Sequence, residues 1–494
     1  MRTAIIGGGI AGLAAAYELE LARGSESPAG RPAVEYTLYE ARARLGGCLS
    51  SESVGGAVLE RGPDSFLTEK PAGGALCREL GLGGELIASN DAARKTWIVV
   101  KNRLVALPDG LMFLVPTKLI PTALSPLFSL RTKLRMGMDM LHPPRPSGLA
   151  DESVAALVAR HYGIEAVERL ADPLLSGIFG GDAAQLSVGT VLPRLVEMER
   201  EYGSLTRGML AARRKMRAAS RPAGSPHQAG ITGGGPATRG VFTAPRGGMQ
   251  QLVDALAARL DPAWLRLGTA VSALERVADG WRVEAGGATE SYDAAIVALP
   301  AWAAGALLGA VDAALGEELN AIPYSSSITV NLIYDEAKLG RLPEGFGFLV
   351  PSVERRAMLA CTFVHRKFLG RAPAGKAVLR AFLGGMRNEA LLAEPDAALV
   401  ARIRRELSEI LGDAAVGLAV EPEYAQVARW RRAMAQYAVG HQERARRIAE
   451  RVAALPGLRL AGNAYDGIGI PDCIRLGRQA AKELLANRAG GVIA

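Results

Sequence analysis

The chain has 494 residues, 49% hydrophobic and 22% charged, with a formal net charge of +8 and a pI near 9.4. That composition excludes a disordered protein, and the length suits two or three domains, each with its own core. The positive balance is compatible with nucleic acid, an anionic membrane or an acidic substrate. No RNA-recognition, zinc-finger or stacked-aromatic pattern supports nucleic acid, and aromatics are only 5%.

In chain order, the first element is AIIGGGIAGLAAAYELE, residues 4–20. It reads as strand, tight turn and helix. Gly7 permits the turn, Gly9 lets a pyrophosphate approach the backbone, and Gly12 allows the helix to pack closely on the strand. EYTLYE then forms a second strand ending at Glu40, where a carboxylate can accept from both hydroxyls of a ribose. The gap from Gly12 to Glu40 exceeds the usual distance of about 20 residues. GSESPAGRP, residues 24–32, loops out to account for the excess.

The stretch LPDGLMFLVPTKLIPTALSPLFSLRTKLRM, residues 107–136, mixes bulky apolar residues with prolines and isolated cations. It suits short helices lying in a membrane interface or the core of a helical subdomain. No run of 18 apolar residues exists, so no helix is expected to span a bilayer. Residues 151–220 read as helical, and 221–240, rich in Gly, Pro and Ser, as a mobile connection. Beyond it, WLRLGTAVSAL, WRVEA and YDAAIVALP read as strands, the last a buried parallel one returning to the first sheet. LRLAGNAYDGIGIPDCIRLGRQAAKELLA, residues 458–486, is again strand, glycine-rich turn and helix. Two distant glycine turns at strand-to-helix junctions suit a long cofactor gripped at its pyrophosphate and at its reactive ring, which points to FAD rather than NAD.

Cys48, Cys77, Cys361 and Cys473 are widely separated, and the five histidines (His142, His161, His227, His365, His441) are scattered. Neither a disulfide framework nor a metal site is expected, and each histidine reads as a surface or satisfied polar group. A fold that starts at residue 3 leaves no signal peptide, and reduced thiols fit the cytoplasm.

The segments GGGIAGLAAAYEL, YEARARLGG, LERGPDSFL, LLSGIFGGDAAQLSV, RGGMQQLVDAL, GFGFLVP, QYAVGH and GNAYDGIGIPDCI cover nearly the whole chain. Together they resemble the oxygen-dependent protoporphyrinogen and coproporphyrinogen oxidases of haem biosynthesis, within the amine oxidase superfamily. The first two are shared by the wider group; GNAYxGxGxxDCI is close to diagnostic of the narrower one. The resemblance implies an α/β and α+β architecture. It comprises a Rossmann-type FAD domain of the p-hydroxybenzoate hydroxylase kind (1–85, 240–305 and 455–494) and a mixed-sheet substrate domain (86–105 and 306–454). A helical membrane-docking domain (106–220) and a flexible connection (221–239) complete it.

It further implies noncovalent FAD. Gly7, Gly8, Gly9, Ile10, Ala11 and Gly12 cradle the pyrophosphate, Glu40 and Ala41 meet the ribose, and Val271 reaches the adenine end. Arg44, Gly46, Gly47 and Cys48, with Gly62, Pro63, Asp64 and Ser65, line the flavin, over which Trp430, Ile468, Gly469 and Ile470 close. Gly177 presents a backbone carbonyl to the pyrrole N–H groups of a porphyrinogen, and Phe346, Leu349 and Phe382 sandwich its faces. No acid–base residue is required, because hydride loss to the flavin is driven by developing aromaticity. The expected reaction converts protoporphyrinogen IX to protoporphyrin IX with O2 as acceptor, giving H2O2, with coproporphyrinogen III as the alternative substrate. An amine oxidase and a non-catalytic porphyrin carrier are the rival classes. Peripheral contact with the inner face of the cell membrane, hand-off to a ferrochelatase and a homodimer complete the expectations.

Three positions depart from the family pattern. Thr96, flanked by Arg94 and Lys95, stands where many members pair an arginine with a substrate propionate, so Lys95 or Thr96 is expected to take that role as a weaker substitute. Asp64 replaces asparagine or arginine and is expected to hold a neighbouring cation or hydroxyl. Ala435 replaces the proline before QYAVGH.

Overall fold

The computed structural model describes residues 1–24, 34–112, 114–144, 150–219 and 240–489. The loop read at 24–32, apart from Gly24, and the connection at 221–239 lie outside the described residues. The opening strand Arg2–Ile6 is apolar through Ala4, Ile5 and Ile6, all buried. Both its neighbours are parallel: Ile5 lies opposite Leu38 of Glu35–Glu40 and opposite Ile296 of Ala294–Val297. Leu265–Leu267 and Leu458–Leu460 complete a five-stranded parallel sheet at its two edges. Ile5, Leu38 and Ile296 face one core, while Ala4, Ile6 and Val297 face another. Both faces are covered, which is why the two central strands Arg2–Ile6 and Ala294–Val297 carry continuous apolar runs rather than alternating ones.

Two helices share the first core, Ile10–Gly24 and Ile470–Ala489. Their backbones touch: a Cβ on Gly477 would stand 2.0 Å from the carbonyl oxygen of Ala11. Both glycine turns read from the sequence therefore open helices that pack on one another at the same sheet.

The second sheet has seven strands, in the order Tyr424–Ala435, Tyr324–Asp335, Lys376–Gly384, Met358–Phe363, Gly347–Leu349, Thr96–Val100 and Arg103–Ala106. It is mixed, because Gly347–Leu349 runs parallel to Thr96–Val100 while the other pairs are antiparallel. One face carries Ile328, Val330, Phe348, Phe363 and Leu379 under Leu399, Ile403 and Leu407 of the helix Asp396–Leu411. The opposite face presents Thr329, Asn331 and Arg380 to the first unit, and that polar face builds the site.

A helical unit has its own core, to which Val115, Leu127, Phe128, Met136, Leu157, Leu170 and Leu175 contribute. The segment 107–136 thus fills a core, as one of its two readings has it. It also carries Leu119, Ile120, Leu124, Leu130 and Leu134 fully to the surface. Among the described residues no helix is long and apolar enough to cross a membrane.

The contact at Gly477 makes a direct expectation. Gly477→Ala has no room and costs about 1–3 kcal/mol of stability. Gly84→Ala, where a Cβ meets nothing within 4 Å, moves the unfolding free energy by less than about 0.5 kcal/mol. Denaturant titration of the two variants checks the difference.

Candidate active site

The first glycine turn divides its work between packing and open space. Gly7 has φ +112°, and a Cβ there would lie 2.5 Å from the carbonyl oxygen of Ala298. A Cβ on Gly12 would lie 1.9 Å from the carbonyl oxygen of Gly7. Those two glycines are demanded by the fold itself. At Gly9 a Cβ meets nothing within 4 Å, so its backbone faces free volume at the N-terminus of the helix Ile10–Gly24, which Ile10 and Ala11 begin. Exposed N–H groups and the helix dipole there suit an anion.

Glu40 stands at the rim of this turn. Its carboxylate accepts from the N–H of Gly8 at 2.8 Å and from the N–H of Arg42 at 2.9 Å, which fixes it at the strand end with lone pairs to spare. Ala41 follows it on the surface. The N–H of Thr269 donates to the carbonyl of Glu40 at 2.9 Å, which brings the strand beginning at Val271 to the same corner.

The loop after Glu40 folds back on the turn. Gly46 donates to the carbonyl of Gly8 at 2.8 Å, and Gly46 and Gly47 have φ of +99° and +58°, where glycine is favoured. Arg44 is spent on shaping this loop, donating to the carbonyls of Leu45, Leu49 and Gly47. Burial lowers its pKa below the usual guanidinium value and pushes the Cys48 thiol up. The carbonyl oxygen of Cys48 lies 1.8 Å from where a Cβ on Gly62 would be, so the loop ending in Pro63 is stacked directly on it. At the second turn, Asp472 accepts from the N–H of Gly469 at 3.1 Å and from Lys70 Nζ at 2.6 Å. That bond holds Ile468 and Gly469 at the N-terminus of the helix that Ile470 begins.

A free volume at Gly9, two helix N-termini and a ribose-competent carboxylate fit a dinucleotide with a pyrophosphate bridge. The donor set is what FAD requires.

Charge joins this cradle to the seven-stranded sheet. Asp64 contacts Lys367 Nζ at 2.8 Å and Arg380 at 3.7 Å, and accepts from Ser65 Oγ at 2.6 Å. Burial alone would raise its pKa, but the two cations and the hydrogen bonds from Lys367 and Ser65 outweigh that and hold the carboxyl far below its ordinary range. Glu60 pairs with the wholly buried Arg371 at 2.8 Å and accepts from the N–H of Met249 at 2.8 Å; burial pushes its pKa up. Arg380 donates to the carbonyl of Gly62. Thr329 and Trp430 Nε1 both donate to the carbonyl of Arg61, at 2.7 and 2.6 Å, and Asn331 donates to that of Glu60 at 3.0 Å. Lys367, Arg371, Arg380, Thr329 and Asn331 were not legible as site residues. Each lies 268–318 positions from its partner, and no local pattern marks such a pairing.

The proposed substrate residues fall into two groups. Strand register aligns Leu349, Ala360, Phe382 and Thr329 across the sheet, on the face that carries Arg380, whose guanidinium lies 4.7 Å from the Phe382 ring centroid. A Cβ on Gly177 would stand 2.9 Å from Leu349 Cδ2, so the helix Asp172–Phe179 closes on the same row. Its last internal bond runs from the N–H of Gly180 to the carbonyl of Ser176, which leaves the Gly177 carbonyl beyond the helical ladder. Thr96 pairs with Gly347, in register with Thr362 and Arg380, and so belongs to this face too.

Lys95 does not. It alternates with Thr96 along the strand, and its Nζ sits 4.4 Å over the ring of Trp97, which packs against the core on the other face of the sheet. Phe346 is buried beside it and donates its N–H to the Lys95 carbonyl at 2.9 Å. The structure therefore brings Gly177, Leu349, Phe382 and Thr96 together and turns the Lys95 ammonium away.

Fold and cradle define an FAD-dependent oxidoreductase. The chain belongs to the flavin containing amine oxidoreductases, whose family pattern matches residues 10–485. It is 33% identical over 483 residues, 97% of each chain, to the coproporphyrinogen III oxidase of Bacillus subtilis (strain 168). To the protoporphyrinogen oxidase of Macaca fascicularis it is 32% identical over 504 residues, 99% of each. A solved structure from Exiguobacterium sp. 255-15, named for protoporphyrinogen oxidase, superposes with a TM-score of 0.83 at 30% identity, covering 98% of this chain and 99% of that one.

Two substitutions test the geometry. Asp64→Asn leaves Lys367 and Arg380 without their counter-charge and costs about 3–5 kcal/mol at pH 7. Because the folded-state pKa of Asp64 is depressed, its stabilisation is complete above the unfolded value of about 3.9 and fades as pH falls toward the lower folded value. The gap between wild type and variant therefore narrows on acidification, as urea titrations across that window would show. Lys95→Ala, by contrast, leaves kcat/KM for either porphyrinogen unchanged.

Proposed function

We propose that the protein oxidises coproporphyrinogen III to coproporphyrin III, with O2 as electron acceptor and H2O2 as the second product. The observation that carries this reading is the row Leu349–Ala360–Phe382 facing the flavin-lining loop, with Gly177 closing on it. That row is largely apolar, and the Gly177 carbonyl beside it lies beyond the helical ladder. The preference between porphyrinogens reverses the order expected from the sequence, because the higher identity is to a relative named for the coproporphyrinogen reaction.

Bound FAD supplies the two-electron acceptor and its reoxidation by oxygen. The chain's contribution is placement. A porphyrinogen has saturated bridging carbons and pyrrole N–H groups, and loses hydride readily as conjugation develops. The Gly177 carbonyl accepts from those N–H groups, and a side chain there would intrude on Leu349. Leu349 and Phe382 set the plane of the macrocycle and keep water from the reacting carbon. Trp430, pinned through its Nε1 to the loop at Arg61, walls the flavin side. Thr96 offers a hydroxyl toward the rim, where it donates to a propionate without the charge of an arginine.

The exposed Leu119, Ile120, Leu124, Leu130, Leu134 and Leu141, interleaved with Lys118, Arg131 and Lys133, support peripheral attachment to an anionic membrane from the cytoplasmic side. A porphyrin released there is consumed next by metal insertion, which is the basis for a ferrochelatase as the receiving partner.

Anaerobic mixing with each porphyrinogen tests the reading directly. Coproporphyrinogen III is expected to bleach the flavin, and Gly177→Val to abolish bleaching while flavin content is retained. No bleaching with either porphyrinogen would favour a carrier. For the membrane, wild type is expected to sediment with anionic liposomes and a Leu124→Glu/Leu134→Glu variant to stay in the supernatant; equal sedimentation of the two removes the assignment.

A further inference from the structure

We propose that Asp139, His142 and His161 form a site for one divalent transition-metal ion of the zinc class, within the helical unit and sharing no residue with the flavin cradle. The scattered histidines do not announce it in the sequence; the fold assembles it. Asp139 opens the short turn Asp139–Leu141 and is fully buried, His161 lies buried near the end of the helix Val154–Tyr162, and His142 is half-exposed beside them. One ligand atom from each lies within 4.8 Å of the others. Among the described residues no other such group of three occurs.

The orientation of the atoms is what distinguishes this cluster from an ordinary ion pair. Asp139 Oδ2 is held from outside, accepting from Ser204 Oγ at 2.7 Å and from the N–H of Thr206 at 2.9 Å. His161 Nε2 is likewise held, 3.0 Å from Glu199 Oε1, and Glu199 is braced in turn by Arg160 at 2.8 Å. Each buried group therefore has one atom fixed by an outer partner and one turned inward. Asp139 Oδ1 and His161 Nδ1 meet there at 2.5 Å. Metal ligands are organised in this way, with carboxylates and hydroxyls setting the tautomer and angle of the groups that coordinate.

The third inward atom is His142 Nδ1. It is buried, has no hydrogen-bond partner, and stands 3.5 Å from Asp139 Oδ1. A protonated His161 between Asp139 and Glu199 satisfies those three side chains but leaves this nitrogen unpaired, at the cost of an unsatisfied buried polar group. An ion satisfies all three. As it enters, the proton on His161 Nδ1 leaves to solvent, the lone pairs of both Nδ1 atoms and Asp139 Oδ1 coordinate, and Nε2–H stays with Glu199. The Oδ1–Nδ1 contact opens to about 3.3 Å, the separation of ligands about 2.0–2.1 Å from a tetrahedral ion. Two imidazoles and one carboxylate select zinc, cobalt or nickel over calcium or magnesium. Three protein ligands leave a fourth position for water on the side where His142 meets solvent, so the ion is exchangeable.

The test uses the FAD-loaded protein, stripped with chelator and titrated calorimetrically with zinc chloride. The expected result is one zinc per chain, with a raised unfolding temperature. His142→Ala removes a half-exposed side chain and is expected to weaken zinc binding at least tenfold at an unchanged metal-free unfolding temperature. Glu199→Gln is expected to weaken it by about 10–100-fold. Cobalt(II) added to wild type gives an independent reading: a visible four-coordinate ligand-field band that excess zinc abolishes. Failure of wild type to take up zinc, equal binding by wild type and His142→Ala, or no such cobalt band overturns the assignment.

Discussion

The structure depends on a buried exchange of charge between two units that the chain builds from separate segments. Glu60 and Asp64 leave the nucleotide-binding side on one short loop, and Arg371, Lys367 and Arg380 meet them from the seven-stranded sheet. Buried ion pairs are a poor source of net stability, because desolvation offsets most of the attraction. Their strength is in geometry: a carboxylate with two cations and a hydroxyl around it can sit in only one place. Backbone carbonyls of Glu60, Arg61 and Gly62 are then claimed by Asn331, Thr329, Trp430 and Arg380. The loop after Glu60 is thereby bonded to the seven-stranded sheet.

Little of the remaining site relies on side-chain chemistry. Glycine at 7, 12 and 62 is imposed by backbone carbonyls already occupying the space of a Cβ, whereas Gly177 meets only the end of the Leu349 side chain and Gly9 looks onto free volume. Leu349 and Phe382 are aligned by one strand register. Such a site supplies orientation and dryness, as suits a reaction whose difficult step belongs to a cofactor. Arg44 donates to three carbonyls of its own loop, and Asp64 holds two neighbouring cations and a hydroxyl, as its departure from the family pattern leads one to expect.

Much of this was legible from residue order, for a physical reason. Strand, glycine turn and helix are local features, and both nucleotide turns, the return strand at Ala294–Val297 and Glu40 at the end of its strand stand where local reading puts them. The sidedness of a strand is local too, and the alternation that separates Thr96 from Lys95 follows from residue order alone. The partners of Asp64 and Glu60 were not recoverable, since they are fixed by tertiary contact across most of the chain. Segment 107–136 allowed two readings because it does two things, burying Phe128 and Met136 while exposing Ile120 and Leu124.

The parallel sheet draws its strands from the whole length of the chain, with Arg2–Ile6 at its centre and Leu458–Leu460 at one edge. Pairings between such distant segments form slowly, and synthesis delivers the N-terminal strands well before the last one. During translation the first glycine turn exists without the edge strand, without the helix that packs on Ala11 and without Gly469. A chain made only that far carries the first turn without the helix that packs against it. Order of synthesis thus sets order of assembly: the turn at Gly7–Gly12 waits for the helix Ile470–Ala489 before its packing is complete.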